Sequence, residues 1–203
     1  MTSLENITIA PPGIGEVLDV IGLFDRDGPI EMEIGCGKGG FLLRQAQAHP
    51  ERDYLGLEWA NKYYTYAADR FGRWGLTNVR ILRADARHLM IHQFPADVLS
   101  ALHVYHPDPW PKKRHHKRRL FTAEFVDAAV RALRPAARWA VQSDHAEYFA
   151  VIRQRLLDHP QLEPTEFVDP DYGTIDERTE TNFEVKYLRE GRDIHRLAVR
   201  KMG

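Results

Sequence analysis

The sequence predicts an α/β protein, in which helices cover both faces of a mainly parallel β-sheet. Three observations carry this prediction. The chain has 203 residues, 43% of them hydrophobic, which is enough for one sizeable core. Short apolar runs alternate with longer segments of helical periodicity, as strands do with crossover helices. A glycine-rich turn follows the first clear strand, where such sheets commonly bind a ligand. We expect residues 1–203 to form a single domain.

The first half of the chain predicts a βαβαβ series. Its elements are, in order, strand 30–34, turn 35–40, helix 41–48, strand 53–58, helix 61–74 and strand 79–83. Gly75 directly follows the longer helix, as is typical of a helix C-terminus. Residues 1–12 have no periodicity and no basic side chain. We therefore expect residues 1–12 to pack loosely.

The second half continues the alternation and then changes character. Its elements are strand 96–102, helix 120–133, strand 138–142 and helix 146–157. Residues 167–178 are rich in Asp, Pro, Gly and Thr, which predicts a loop. The alternating stretch 194–200 predicts a closing antiparallel strand.

Composition excludes several classes of protein. The formal net charge is −1, no apolar run reaches membrane-spanning length, and no leader or fixed-period repeat is visible. We expect a soluble cytoplasmic protein without a membrane segment, and both a monomer and a homodimer remain open. The single cysteine, Cys36, excludes an internal disulfide and a thiolate zinc cluster. The pair His103 and His106 lacks a third ligand at a diagnostic spacing, so no metal is predicted.

The glycine-rich turn matches a known nucleotide-binding pattern. Gly35, Gly37 and Gly40 satisfy G-x-G-x-x-G between a strand and a helix. Glu58 lies near the offset at which an acid binds ribose hydroxyls. By pattern alone this could be a dinucleotide site.

Carboxylates around the turn favour a cationic ligand instead. Glu33 stands two residues before the first glycine, where it would repel a pyrophosphate, and Asp85 and Asp108 add negative charge at later element ends. S-adenosylmethionine carries a sulfonium and an ammonium, and it offers a ribose diol to Glu58 and an adenine amine to Asp85. Each acid alone also fits a structural role, such as a loop cap or the start of a turn.

A carboxylate on a stiff loop precedes a dense cationic run. Asp108 lies between two prolines, which restrain the backbone around it. Six of the eight residues in 112–119 are Lys or Arg. Such a run attracts nucleic-acid phosphates, although a solvated helix start is the plainer interpretation. Trp110 could stack on a base or brace the loop.

Six short motifs together resemble a known family. They are Glu33-Ile34-Gly35-Cys36-Gly37-Lys38-Gly39, Leu55-Gly56-Leu57-Glu58, Ala84-Asp85-Ala86, the run 108–119, Ser143-Asp144 and Thr181-Asn182-Phe183-Glu184. In these motifs, and over most of its length, the chain resembles the bacterial tRNA (guanine-N7-)-methyltransferases. The resemblance implies a Rossmann-like class I methyltransferase fold with a mainly parallel seven-stranded sheet and an antiparallel C-terminal strand.

The same resemblance implies a division of the site residues. The residues implied for S-adenosylmethionine are Glu33, Gly35, Gly37, Glu58, Asp85 and Asp108. The residues implied for tRNA are Lys112, Asp144, Thr181, Asn182, Phe183 and Glu184. The implied target is N7 of guanine 46 in the variable loop.

The chemistry of guanine N7 suggests what these residues would do. N7 has an unprotonated lone pair, so positioning should dominate catalysis. Asp108 is the candidate catalytic residue, because a carboxylate would stabilise the positive charge that methylation creates. Asp144 or Glu184 would accept the N1–H and N2–H donors of guanine.

Two other functions remain open at this point. A non-catalytic tRNA-binding module could keep the fold without cofactor affinity. A small nicotinamide-dependent oxidoreductase would fit the literal glycine pattern, but Glu33 is badly placed for phosphates.

Overall fold

A mixed β-sheet forms the centre of the computed structural model, which describes residues 4–167 and 190–203. Within those residues the sheet has eight strands: β1 Thr8–Ile9, β2 Ile30–Ile34, β3 Asp53–Leu57, β4 Val79–Leu82, β5 Leu99–Tyr105, β6 Leu133–Ser143, β7 Leu162–Thr165 and β8 His195–Lys201. Their spatial order is β1-β4-β3-β2-β5-β6-β8-β7. Neighbours from β1 to β6 are parallel, whereas β8 is antiparallel to β6 and β7. The predicted mainly parallel sheet with an antiparallel C-terminal strand is confirmed.

The helices lie between the strands along the chain. They are α1 Gly40–Ala48, α2 Asn61–Arg73, α3 Ala86–His92, α4 Ala123–Ala132 and α5 Ala146–Leu157, with 3-10 helices at Leu4–Asn6, Ile21–Leu23 and Lys113–Arg118. The helix predicted at 120–133 begins later because Thr122 caps it, its hydroxyl accepting a bond from the Phe125 amide at 3.2 Å. Helix α3 was not predicted, since seven residues are too few to show a periodicity.

The strand predicted at 96–102 lies three residues further along the chain. Asp97 has φ 52°, a left-handed conformation outside the extended range of a regular strand. Strand β5 therefore begins at Leu99 and continues to Tyr105. This shift carries the strand up to the proline-flanked loop.

The strand order places a topological switch point between β2 and β5. From β2 the chain continues to β3 and β4 on one side, and β5 and β6 lie on the other. The connections leaving β2 and β5 diverge, which opens a crevice at the carboxyl ends of the two central strands. The glycine turn follows β2 and the loop with Asp108 follows β5, so both segments border this crevice.

A buried polar network lies on one face of the central strands. Glu31 on β2 bonds the His103 ring at 3.0 Å and the Arg52 guanidinium at 2.5 Å, and the His103 ring bonds the Tyr105 hydroxyl at 2.9 Å. Burial alone would raise the pKa of Glu31, but the bonds and charges of His103 and Arg52 lower it to about 2. The Phe41 ring packs 4.8 Å from the His103 ring. The network ties β2 to β5 beneath α1.

The N-terminal segment differs from the expectation of loose packing. Thr8–Ile9 pairs with β4 as an edge strand, and the Ile7 amide oxygen accepts a bond from the Ile81 amide at 2.8 Å. The Ile7 side chain is fully buried. The expectation for residues 1–12 is corrected for this part of the segment, because one apolar anchor and one strand pairing suffice to dock it. Strand β1 also brings the sheet to eight strands where the resemblance implied seven.

We predict that Ile7→Ala lowers the free energy of unfolding by about 2–5 kcal/mol, since it leaves a cavity in the core. Urea denaturation measures the change. The matched control is Ile14→Ala, whose side chain is fully exposed and whose loss should change stability by no more than about 0.5 kcal/mol. Equal effects of the two substitutions would show that the segment does not dock as described.

Candidate active site

A cleft of about 680 Å³ opens at the carboxyl ends of the parallel strands. Its wall takes residues from the segments that follow β2, β3, β4, β5 and β6. Four carboxylates line it, one after each of four strands: Glu58, Asp85, Asp108 and Asp144. These four acids therefore converge on one space. Glu58, Asp85 and Asp108 belong to the acids expected at the cofactor, Asp144 was implied for tRNA, and the fourth acid expected at the cofactor, Glu33, is not in the wall.

The glycine turn forms one wall of the cleft. Gly35 and Gly37 have φ 78° and 55°, a left-handed region that side chains rarely adopt. The Gly35 and Cys36 amides donate to the Leu57 carbonyl at 2.8 and 3.1 Å, which holds the turn against β3. No heavy atom would lie within 4 Å of a Cβ on Gly35. A ligand can therefore approach the backbone closely here.

Glu58 joins the glycine turn to the start of α2. One of its oxygens accepts a bond from the Gly37 amide and the other from the Ala60 amide, both at 2.8 Å. A carboxylate has about four acceptor positions, so two remain for ligand hydroxyls. Asp85 also has two roles. It lines the cleft, and it caps α3 by accepting a bond from the His88 amide at 3.0 Å.

Glu33 lies at the end of β2 but not in the wall of the cleft. Its side chain is buried, and its Oε2 has no hydrogen-bond partner among the described residues. Burial raises the pKa of Glu33 to about 8; the charge of Arg44 opposes this rise and that of Glu58 adds to it. An unpartnered buried carboxyl oxygen of this kind indicates a group that a cationic ligand could satisfy.

Asp108 sits on a loop with strained ends. His106 and Trp110, on either side of Pro107, Asp108 and Pro109, have φ 52° and 42°, which is uncommon outside glycine. The Asp108 side chain is exposed within the cleft. The surrounding contacts must hold this loop in place.

Arg119 is one of those contacts. Its side chain is buried, and it donates to the Pro109 carbonyl at 2.8 Å and to Glu147 at 3.1 Å. Its guanidinium also lies 4.7 Å from the Tyr148 ring centroid. The sequence grouped Arg119 with the cationic run, but the structure turns it inward as a clamp on the loop.

The rest of the cationic run faces solvent. Its exposed members are Lys112, Lys113, Arg114, Lys117 and Arg118. The Arg118 guanidinium lies 4.9 Å from the Trp110 ring centroid, and the His115 ring meets the indole edge-on at 5.8 Å. These contacts favour the interpretation of Trp110 as a brace that joins the loop to the 3-10 helix.

Asp144 lies in the wall of the cleft after β6. It accepts a bond from Arg192 at 2.7 Å and has an oxygen 3.5 Å from His106 Nδ1. Burial lowers the pKa of His106, and the charge of Asp144 opposes that shift. Lys112 precedes the 3-10 helix and is not in the wall. The segment with Thr181, Asn182, Phe183 and Glu184 lies outside the described residues.

Sequence reasoning missed several residues of the wall: Trp59, Tyr63, Arg87, His106, Arg118 and Arg192. The position of His106 directly after β5 is a signal that could have found it. No local sequence pattern predicts that Arg192 lines the cleft, because only the folding of distant segments brings it to Asp144.

Among the described residues no cluster of three or more side chains could hold a metal ion. None of the helices in 4–167 and 190–203 is long and apolar enough to cross a membrane.

Comparison with known proteins identifies the class. Residues 27–197 match a family model described as a putative methyltransferase. Among solved structures, TrmN from Thermus thermophilus is 20% identical with a TM-score of 0.61, covering 88% of this chain and 45% of its own. A 30S ribosomal A1408 methyltransferase from an uncultured bacterium is 13% identical with a TM-score of 0.60, covering 91% and 93%. These structures share the fold, and the family match makes the protein a methyltransferase.

Curated relatives identify the family more closely. The tRNA (guanine-N(7)-)-methyltransferase of Alkalilimnicola ehrlichii is 38% identical over 191 residues, which are 94% of this chain and 80% of the relative. The protein of the same name from Nitrosospira multiformis is 37% identical over 193 residues, 94% of this chain and 82% of the relative. The chain belongs to the tRNA (guanine-N7)-methyltransferase family.

We predict that Glu33→Gln removes the loss of stability that Glu33 causes as pH rises from its ordinary pKa of 4.5 to its folded-state pKa of about 8. The folded-state pKa of about 8 exceeds the ordinary value of 4.5, so between these values the folded protein binds more protons than the unfolded chain. Its stability therefore falls as pH rises through that window. The variant should keep its stability where the wild type loses it. Urea unfolding between about pH 5 and about pH 9 measures the difference.

The control for this prediction is Glu166→Gln, which neutralises an exposed carboxylate and should leave the pH dependence as in the wild type. Parallel stability curves for wild type and Glu33→Gln would mean that Glu33 ionises normally.

Proposed function

We propose that this protein transfers the methyl group of S-adenosylmethionine to N7 of a guanine in tRNA, with guanine 46 of the variable loop as the target. The observation that carries the proposal is the junction of an acidic cleft with an exposed cationic helix. The loop with Asp108 borders both. The names of the relatives supply the base and the RNA class.

The residues of the cleft suit a cationic nucleoside cofactor. The open space above Gly35 and Gly37 admits a ligand against the backbone, and Glu58 retains acceptor positions for ribose hydroxyls. Asp85 would accept the adenine amine. Glu33, with its unpartnered oxygen, would accept an ammonium group. When bound, S-adenosylmethionine supplies an electrophilic methyl group.

The protein has to position guanine N7 against the methyl group and to stabilise the positive charge of the product, and it does not need a strong base. The N7 lone pair carries no proton, so no residue must remove one before the new N–C bond forms. Placing N7 in line with the methyl group supplies most of the rate enhancement. The methylated ring becomes cationic, and Asp108, fixed by its strained loop and Arg119, would stabilise that charge.

Recognition of guanine requires acceptors for its N1–H and N2–H. Asp144 lines the cleft and is oriented by Arg192, so it can present an oxygen to those donors. Adenine offers no such pair of donors. By family resemblance, Glu184 would share this role, with Thr181, Asn182 and Phe183 beside it.

The exposed cations would bind the tRNA backbone. Lys112, Lys113 and Arg114 follow the catalytic loop directly, so phosphates held there keep the target nucleotide near Asp108. We infer that the protein acts in the cytoplasm, as its substrate does, and no proposed step uses a metal.

Family membership favours this function over the two alternatives. A tRNA-binding module without catalysis would have no use for an acidic cleft beside its basic surface. A nicotinamide oxidoreductase would place a pyrophosphate near the carboxylate of Glu58, where like charges repel.

Incubation with labelled S-adenosylmethionine and unmodified tRNA tests the proposal through the appearance of 7-methylguanine. We predict that Asp108→Asn lowers kcat by about a hundredfold or more, since it removes the charge that stabilises the cationic product. Its affinity for tRNA should stay near the wild-type value. Nucleoside analysis and a filter-binding assay measure the two effects separately.

The control substitution is Asp127→Asn, the same change on an exposed face of α4, which should leave kcat unaltered. A wild-type protein that forms no 7-methylguanine would refute the function. Full turnover by Asp108→Asn would refute only the role of Asp108.

We predict that replacing Lys113 and Arg114 together by Ala weakens tRNA binding and reduces the slope of log affinity against log salt by about two. The slope falls because two phosphate contacts would be lost, and the counterions that these contacts release from the RNA would stay bound. The charge-matched control replaces the exposed Arg153 and Arg155 of α5. Equal slopes for both variants would place the RNA elsewhere.

A further inference from the structure

The exposed aromatic side chains of the described residues all belong to one segment of the chain, 59–74. Four are found: Trp59, Tyr63, Tyr66 and Trp74, with exposed fractions of 65%, 37%, 46% and 58%. All four belong to α2 or to the residues that flank it. Large aromatic rings normally pack inside a protein, so this concentration on one surface helix requires an explanation.

Helical geometry places two of these rings on one side of α2, because positions 63 and 66 differ by three residues, the spacing of side chains that share a helix face. Trp59 lies before the extended N-cap residue Ala60 and lines the same cleft as Tyr63. The core-facing side of α2 is separate and carries Ala67, Ala68, Phe71 and Gly72. The aromatic rings are therefore not displaced core residues, since the helix already has a buried face.

Cationic side chains lie against the same rings. The Arg83 guanidinium is 5.8 Å from the Trp59 ring centroid, and the Lys38 ammonium is 5.8 Å from the Tyr66 ring centroid. Both Lys38 and Arg83 are exposed. Aromatic rings that alternate with cations offer bases a stacking surface and phosphates a counter-charge.

The surface is continuous with the cleft. Trp59 and Tyr63 line the rim of the cleft, and Tyr66 follows one turn further along α2. Trp59 and Tyr63 come after β3 in the chain, whereas Asp108 and the cationic 3-10 helix come after β5. In the sheet, β2 lies between β3 and β5, so the two groups border the cleft from opposite sides of β2. An RNA whose target base enters the cleft would have to pass over one rim or both.

We propose that Trp59, Tyr63 and Tyr66, with Lys38 and Arg83, form a second RNA-binding surface, which stacks unpaired bases next to the target guanine. The inference rests on the proposed function, because it takes its RNA from there. The target base must leave its own stack to reach the cleft. The α2 surface supplies aromatic partners for neighbouring bases that lose theirs, while the 3-10 helix holds the backbone on the other rim.

The positive charge of this surface favours RNA over a second copy of the chain as its binding partner. A homodimer formed on this face would bring two sets of Lys38 and Arg83 together, which repel each other. A polyanion instead satisfies these cations, and stacking on aromatic rings tolerates any base sequence.

Tyr66→Ala tests the inference, since Tyr66 lies on the surface but not in the wall of the cleft. It should weaken tRNA binding by about fivefold to a hundredfold, the range for loss of one stacked base. Calorimetry should give an unchanged affinity for S-adenosylmethionine, which shows that the variant is folded. Tyr66→Phe keeps the ring and should bind tRNA like the wild type, and so should Ile14→Ala, which removes an exposed side chain that belongs neither to the proposed surface nor to the wall of the cleft.

The results separate this inference from the proposed function. Unaltered tRNA affinity in Tyr66→Ala, while the wild type still forms 7-methylguanine, overturns the second surface alone. A wild-type protein that forms no 7-methylguanine overturns the function. A dimeric wild type that Tyr66→Ala converts to a monomer, with no change in tRNA affinity, makes the face a protein interface and also overturns the inference.

Discussion

The carboxylate of Glu58 makes the contacts on which the rest of the cleft depends. It binds the Gly37 amide in the turn after β2 and the Ala60 amide before α2. Bonds from backbone amides to a charged acceptor are stronger than bonds between neutral groups. One side chain thus fixes the conformation of the glycine turn and the point at which α2 leaves the sheet. The position of Tyr63 at the rim follows from this geometry.

Acidic and basic groups lie on different kinds of secondary-structure element. The carboxylates of the cleft follow strands, whose positions the sheet fixes, and so they suit chemistry that needs defined geometry. The cations lie on exposed helices such as Lys113–Arg118, where long side chains adapt to a flexible polymer. This separation creates a local positive field in a chain of net charge −1.

The sequence predicted what depends on neighbours along the chain. Strand 30–34, the glycine turn and the approach of Glu58, Asp85 and Asp108 to one space were predictable, because parallel strands end at one edge of a sheet. The place of Asp144 beside them, and of Glu33 outside the wall, was not predicted. Helix α3 was too short to show a period. The inward turn of Arg119 and the arrival of Arg192 at Asp144 depend on contacts between distant segments. No local pattern distinguishes a buried arginine from its exposed neighbours.

The clamp formed by Arg119 has a consequence for how such an enzyme can change over time. It anchors Pro109 to Glu147 from inside, independently of the exposed lysines and arginines that precede it. Under the proposed function, substitutions among those surface cations would change the affinity for different RNAs without moving Asp108. Substrate range and turnover become separately adjustable traits, and a lineage can alter the first while the second is conserved.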